Sequence, residues 1–305
     1  MNIPSKNKKT KTSAFGVSGR YGHDSSDFYN SNLYSHIDND MIANDNAIEN
    51  KIAPDKLNKI YCKSSEKMLE IPDNSIHLMI TSPPYNVTKE YDKNLTMDNY
   101  LAFLKKVFSE TYRVLVNGGR ACINVANLGR KPYIPLTTYI NNIMIDIGFL
   151  MRGEIIWNKS ASSGGSCAWG SWKSPNNPTL RDVHEYILIY SKGSFNRKSK
   201  KQGTITREEF LEYTKSIWTF QTESAKKIGH PAPFPIELPY RLIQLYTFKD
   251  DVVIDPFCGS GTTCIAAKKT ERYYIGYEIN KEYVNLANKR IREYTIQQKL
   301  FRNVL

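Results

Sequence analysis

From Leu57 onward, the apolar positions of the chain alternate between short continuous runs and helical spacing. Residues 59–62, 75–81, 120–125, 154–157, 252–254 and 273–277 are short apolar-rich runs bounded by turn residues, the pattern of strands buried on both faces of a parallel sheet. Between them, residues 97–115, 133–147, 237–248, 262–269 and 281–294 carry apolar side chains every three or four positions, the pattern of amphipathic helices. Residues 64–69 suit one or two helical turns, and Gly118-Gly119 reads as the stop of the helix before it. Residues 182–190 alternate well enough to form a hairpin-like partner to 154–157. The β-α-β alternation predicts an α/β fold, a doubly wound and mostly parallel sheet.

Two stretches depart from that rhythm. Residues 1–56 are rich in Asn, Ser, Asp and Lys and show no sustained apolar period, so they read as a polar arm, disordered or ordered by a partner. Residues 159–228 interrupt the alternation between the 57–158 half and the 229–305 half. They hold Trp169, Trp172 and Trp218, with Trp157 at the edge, and the acid-free basic run Lys192, Arg197, Lys198, Lys200, Lys201.

Composition narrows the partner. Lys and Arg total 42 against 30 Asp and Glu among 305 residues, a net charge of +12, which points to a polyanion. Mean hydropathy is −0.49, and no window reads as a membrane span or opens the chain as a signal peptide. Five scattered Cys argue against a disulfide framework and for a reducing, cytoplasmic setting. The five His do not cluster with Cys or carboxylates at ligand spacing, so no metal site is expected.

Two motifs carry chemistry. In Asp255-Pro256-Phe257-Cys258-Gly259-Ser260-Gly261-Thr262, a strand leads through a glycine turn into a helix whose N-terminus offers free N–H groups. No Gly-Lys-Ser/Thr follows, and Cys264 stands where a dinucleotide fingerprint has its third Gly. Glu278, at the tip of the next strand, suits the two hydroxyls of a ribose, so the expected ligand is a nucleoside without a pyrophosphate. The second motif is Thr81-Ser82-Pro83-Pro84-Tyr85-Asn86. Its prolines stiffen the backbone and remove two N–H donors, leaving carbonyls as pure acceptors beside the Ser82 hydroxyl and the Tyr85 ring. That pocket suits a planar amine: Ser82 and the Pro83 carbonyl accept its N–H bonds and Tyr85 stacks on the ring.

The pair resembles motifs IV and I of the amino-group DNA methyltransferases, in the order of their β class, over roughly residues 57–295. His230-Pro231-Ala232-Pro233-Phe234-Pro235 is similar to that family's His-Pro cofactor segment, and 155–159 and 184–188 to its later catalytic strands. The family's acidic residue after its first strand is replaced here by Cys62-Lys63-Ser64. The resemblance implies S-adenosylmethionine as cofactor, held by Asp255, Pro256, Phe257, Gly259, Ser260, Gly261, Thr262, Glu278, His230, Pro231 and Phe234. It implies a catalytic half over 57–158, an inserted target-recognition region over 159–228 and a cofactor half over 229–305.

The implied substrate is double-stranded DNA with the target base flipped out of the stack. Lys173, Arg181, Lys192, Arg197, Lys198, Lys200 and Lys201 are the expected DNA contacts. Ser at the head of the catalytic tetrapeptide resembles mainly the cytosine-N4 enzymes, where Asp would resemble the adenine-N6 enzymes. A prokaryotic modification enzyme accompanied by a restriction endonuclease is the expectation that follows. Methylation of adenine, RNA or protein, and a DNA-binding protein without catalysis, are the alternatives. Relatives acting on RNA or protein usually place the cofactor turn first in the chain.

Overall fold

The structure, a computed structural model, describes residues 11–12, 20–21, 30–34, 48–85, 95–159, 175–197, 199, 201–223 and 234–302. The chain divides into two units, Met1–Ala43 and Asn44–Leu305. Among the described residues, the first holds an antiparallel pair of two-residue strands, Lys11–Thr12 and Arg20–Tyr21, and a 3-10 turn at Asn32–Tyr34.

The second unit is built on one sheet. In chain order its elements are β1 (Lys59–Cys62), β2 (Ile76–Thr81), α1 (Met97–Val114), β3 (Leu115–Val125), α2 (Leu136–Ile147), β4 (Phe149–Asn158) and β5 (His184–Lys192). They continue with α3 (Arg207–Tyr213), β6 (Ile217–Thr219), α4 (Glu237–Tyr246), β7 (Val252–Asp255), α5 (Thr262–Lys269), β8 (Tyr273–Glu278) and α6 (Lys281–Arg302). The strand order is β1-β8-β7-β2-β3-β5-β4-β6, and β5 alone runs against the rest. The α/β fold with a mostly parallel sheet is therefore as expected.

Alternate side chains of the central strands feed two cores. One face buries Met79, Ile123 and Leu188 under α1 and α2. The other buries Leu78, Ile80, Cys122 and Ile187 under α4, α5 and α6. The helices follow from local sequence. The side chain of Thr96 caps α1, accepting from the Asn99 N–H at 3.3 Å, and Tyr100, Leu104, Val107 and Phe108 line its buried face. Truncating a side chain as deeply buried as Phe108 costs about 3–5 kcal/mol.

Several expectations change. Residues 64–69 form turns, not helix: the Met68 N–H is taken by Glu110 at 2.8 Å and that of Glu66 by the Ser64 hydroxyl at 3.2 Å. Gly118-Gly119 does not cap α1, which ends at Val114; both glycines lie inside β3, where the register shifts by several residues between Leu115 and Arg120. A Cβ on Gly118, at φ +73°, would stand 2.4 Å from the Asn196 carbonyl oxygen, so the glycine answers a close backbone approach. The interrupting stretch 159–228 supplies β5, α3 and β6, of which the apolar alternation predicts only β5. Trp157 and Trp218 are core side chains, 2% and 0% exposed.

Candidate active site

From β2 the chain winds outward through α1 to β3, and from β7 it winds the opposite way through α5 to β8. The boundary between β2 and β7 is therefore a topological switch point, where the carboxyl ends of an open α/β sheet leave a crevice. Both sequence motifs leave the sheet there: Ser82 follows β2 and Pro256 follows β7. The two strands are hydrogen-bonded neighbours, in register at Leu78 with Val253 and Met79 with Ile254.

A buried carboxylate ties the motifs together. Asp255 is 1% exposed. Its Oδ1 accepts from the Thr81 hydroxyl at 2.6 Å and the Phe257 N–H at 3.1 Å, and its Oδ2 accepts from the Thr263 hydroxyl at 2.7 Å. Burial pushes its pKa up to about 6 against those bonds. Asp255 therefore braces the turn and faces inward.

The glycine turn is held from outside by α6. Gly261 sits at φ +78°, and a Cβ there would stand 2.8 Å from that of Ala287. Arg290, missed by sequence reasoning, donates to the Ser260 carbonyl at 2.5 Å and hydroxyl at 2.8 Å, and to the Thr262 hydroxyl at 3.3 Å. Glu278 accepts from the Gly259 N–H at 2.9 Å and the Asn280 N–H at 2.8 Å. The Ile279 backbone is bonded to it as well; a carboxylate has about four lone-pair sites, so acceptor capacity for a hydroxyl remains. The turn thus fits a nucleoside through Glu278, with Ser260 and Thr262 serving as its frame. Phe257 packs against Phe103, ring centroids 5.7 Å apart, and Phe234 lies half-buried against the second core. His230 and Pro231 lie outside the described residues.

On the other lip of the crevice, Pro83 is buried and Ser82, Pro84 and Tyr85 are half-buried. Tyr100 of α1 donates to the Pro84 carbonyl at 2.7 Å, which fixes the direction of the Pro-Pro segment. The Tyr85 hydroxyl is bonded to Ser82 and accepts the Ala126 N–H at 3.2 Å. Burial raises the Tyr85 pKa well above the ordinary phenol range, and the Glu185 carboxylate adds to the shift.

The expected DNA contacts separate into two groups. Arg181 precedes β5 by three residues and lies at the same edge as Ser82. Lys173, Lys198 and Lys200 lie outside the described residues. Lys192, Arg197 and Lys201 are at the opposite edge, because β5 runs antiparallel and carries the following chain away from the crevice. The Lys192 ammonium lies 2.7 Å from both the Asn74 Oδ1 and the Leu115 carbonyl, and burial brings its pKa down to about 8. Arg197 and Lys201 pair with the fully buried Asp251 at 2.7 and 3.0 Å. These three were expected to face DNA; in the structure they are engaged with internal charge and carbonyl groups.

A switch point flanked by a glycine turn on one lip and a Pro-Pro segment on the other defines the class, a doubly wound α/β protein with both motifs at the carboxyl ends of its strands. Residues 76–289 match the N6/N4 methyltransferase family model, described as DNA methylase, and the chain belongs to that family. It is 32% identical over 272 residues to the type II methyltransferase M.MthZI of Methanothermobacter thermautotrophicus, covering 77% of this chain and 76% of that one. It is 33% identical over 279 residues to the type II methyltransferase M.MjaI of Methanocaldococcus jannaschii, covering 76% and 90%. Among solved structures it resembles TTHA0409 of Thermus thermophilus, a DNA modification methylase crystallised with S-adenosyl-L-methionine (TM-score 0.62, 29% identity, 77% and 95% covered). The cytosine-N4-specific PvuII DNA methyltransferase shares the fold (TM-score 0.58, 21% identity, 77% and 90% covered).

Proposed function

We propose that this chain transfers a methyl group from S-adenosylmethionine to the exocyclic N4 amine of a cytosine flipped from double-stranded DNA. The observation that carries the reading is the junction of the two motifs through Thr81 and Asp255, side by side at the switch point. The cofactor supplies an electrophilic methyl on a sulfonium. Glu278 is assigned to its ribose, and the Gly259–Gly261 turn lets the backbone approach it.

The remaining work falls to the Pro-Pro lip. An amine conjugated to a base ring has a delocalised lone pair. Ser82 and the Pro83 carbonyl accept its N–H bonds, draw the nitrogen toward tetrahedral geometry and stabilise the positive charge that grows on it. The nitrogen then forms the bond to the methyl carbon, the carbon–sulfur bond breaks with its electron pair staying on sulfur, and one amine proton leaves to water. Flipping costs a few kcal/mol, and stacking on Tyr85 offsets part of it.

The choice of cytosine rests on Ser82 heading the tetrapeptide. Similarity to type II methyltransferases supports a modification enzyme that protects DNA from a companion endonuclease. The test is transfer of labelled methyl to unmethylated duplex DNA, followed by digestion to nucleosides. N4-methylcytosine is expected; N6-methyladenine alone would reverse the base, and label only in RNA or protein would overturn the substrate.

A further inference from the structure

The carboxyl edge of the sheet carries a polar row that the two motifs do not use. Asn124 is 2% exposed on β3, in an otherwise apolar run, and its Nδ2 donates to Glu185 Oε2 at 2.6 Å. The other oxygen of Glu185 accepts from the Lys159 ammonium at 2.5 Å, which lies 5.5 Å from the centre of the Trp157 ring. Asn124 Oδ1 is buried and has no hydrogen-bond partner among the described residues. Leaving a buried acceptor unmet costs roughly 1–3 kcal/mol, so its persistence calls for a reason.

Position supplies one. Ile80 and Cys122 are paired across β2 and β3 and belong to the same core face. Ser82 is the next residue after the last pair of those strands, Thr81 with Ile123, as Asn124 is on β3, and Ala126, two residues beyond Asn124, donates to the Tyr85 hydroxyl, which is itself bonded to Ser82. Glu185 can only accept, so the amide of Asn124 must turn its NH2 toward Glu185 and its oxygen away from it. Lys159 occupies the second oxygen of Glu185 and keeps that carboxylate in place.

We infer that Asn124 Oδ1 is a third acceptor of the amine cradle, set beside Ser82 for the target NH2, with Glu185 and Lys159 as positioning residues. The assignment rests on the proposed amine methylation and deepens it. While the nitrogen bonds to the methyl carbon and the sulfur departs with its electron pair, the amide oxygen shares with Ser82, in a three-centre bond, one of the amine's two N–H groups and stabilises the charge developing on nitrogen. The proton that is finally lost goes to water, since a neutral amide is no base.

The experiment uses the full chain, unmethylated duplex DNA and labelled S-adenosylmethionine, with kcat, calorimetric cofactor affinity and Tm as readouts. Asn124→Leu removes the orphaned oxygen at nearly constant volume. It should lower kcat about 100-fold, the scale seen when one preorganised polar contact to developing charge is lost, while cofactor affinity stays within about twofold and Tm falls modestly because Glu185 Oε2 loses its donor. Glu185→Gln frees the amide to turn over and should lower kcat about 10-fold. Adding Asn124→Asp to Glu185→Gln rebuilds the bond with donor and acceptor exchanged and should recover most of that loss. An Asn124→Leu enzyme with unchanged kcat overturns the assignment. Should that variant not fold, absence of recovery in the double variant overturns it equally. A wild-type chain that methylates no DNA amine sinks the parent reading along with this one, and is told apart by the wild-type control.

Discussion

The hydroxyl of Thr81 donates to Asp255 Oδ1 at 2.6 Å, joining residues 174 positions apart that stand at the tips of neighbouring strands. Thr81 immediately precedes the Pro-Pro segment proposed to hold the amine and Asp255 opens the glycine turn, so one buried bond sets the distance between the two lips of the crevice. Thr81→Val keeps the shape and removes the donor. Loss of one hydrogen bond to a buried carboxylate costs about 1–3 kcal/mol. Tm should fall, and the KM for S-adenosylmethionine should rise together with a drop in kcat. A change in only one of the two constants would show that the lips are positioned independently.

Asp255 gives a pH signature of definite sign. Its pKa lies at about 6 in the folded protein, raised by burial from an ordinary value near 3.8. The folded state therefore binds more protons than the unfolded state between those values. The stability this group contributes is fully present below about pH 4 and is lost as pH rises through about 6. At neutral pH the buried charge costs about 3 kcal/mol relative to the protonated form, at ~1.4 kcal/mol per pKa unit. Asp255→Asn keeps an acceptor for Thr81 and offers an N–H to Thr263. Urea denaturation should show the stability of this variant gaining on wild type from pH 4 to pH 7; a difference that stays flat over that range contradicts the assigned shift.

Gly261 faces two demands, a left-handed backbone at φ +78° and a Cβ-free approach to Ala287 at 2.8 Å. Gly261→Ala should lower cofactor affinity at least 10-fold in calorimetry and lower Tm, since the backbone conformation alone costs about 1–2 kcal/mol. Adding Ala287→Gly relieves the contact but not the φ, and costs about 1 kcal/mol of helix propensity. Part of the affinity should return while Tm does not.

The two lips should separate in kinetics. Ser82→Ala should lower kcat with little change in cofactor affinity, whereas Glu278→Ala should weaken cofactor binding first. The reverse pattern would exchange the roles assigned to them.

Arg197 provides the contrast away from the crevice. Asp251 is fully buried and faces Arg197, Lys201 and His77. Breaking a buried ion pair from one side costs about 3–5 kcal/mol. Arg197→Ala should therefore lower Tm, while the salt dependence of DNA binding by the folded fraction stays as in wild type. A salt slope shallower by about one unit would instead place Arg197 on a phosphate.

Much of this was legible in the residues themselves. Periodicity identified the parallel strands and their helices because burial on both faces demands continuous apolar runs, and local turn chemistry located both motifs. The order of the chain does not state the order of the strands. Only the tertiary structure puts β7 beside β2 and so makes one crevice of motifs far apart in sequence. It also decided which charges are free: Lys192, Arg197 and Lys201 form a basic cluster in the sequence, yet the antiparallel course of β5 carries them to the far edge, where buried acceptors claim them. Asn124 is a single polar residue in an apolar run. Its partner Glu185 comes from β5, and Lys159, just past β4, bonds that carboxylate in turn, so the sequence could mark the anomaly while folding alone supplied its meaning.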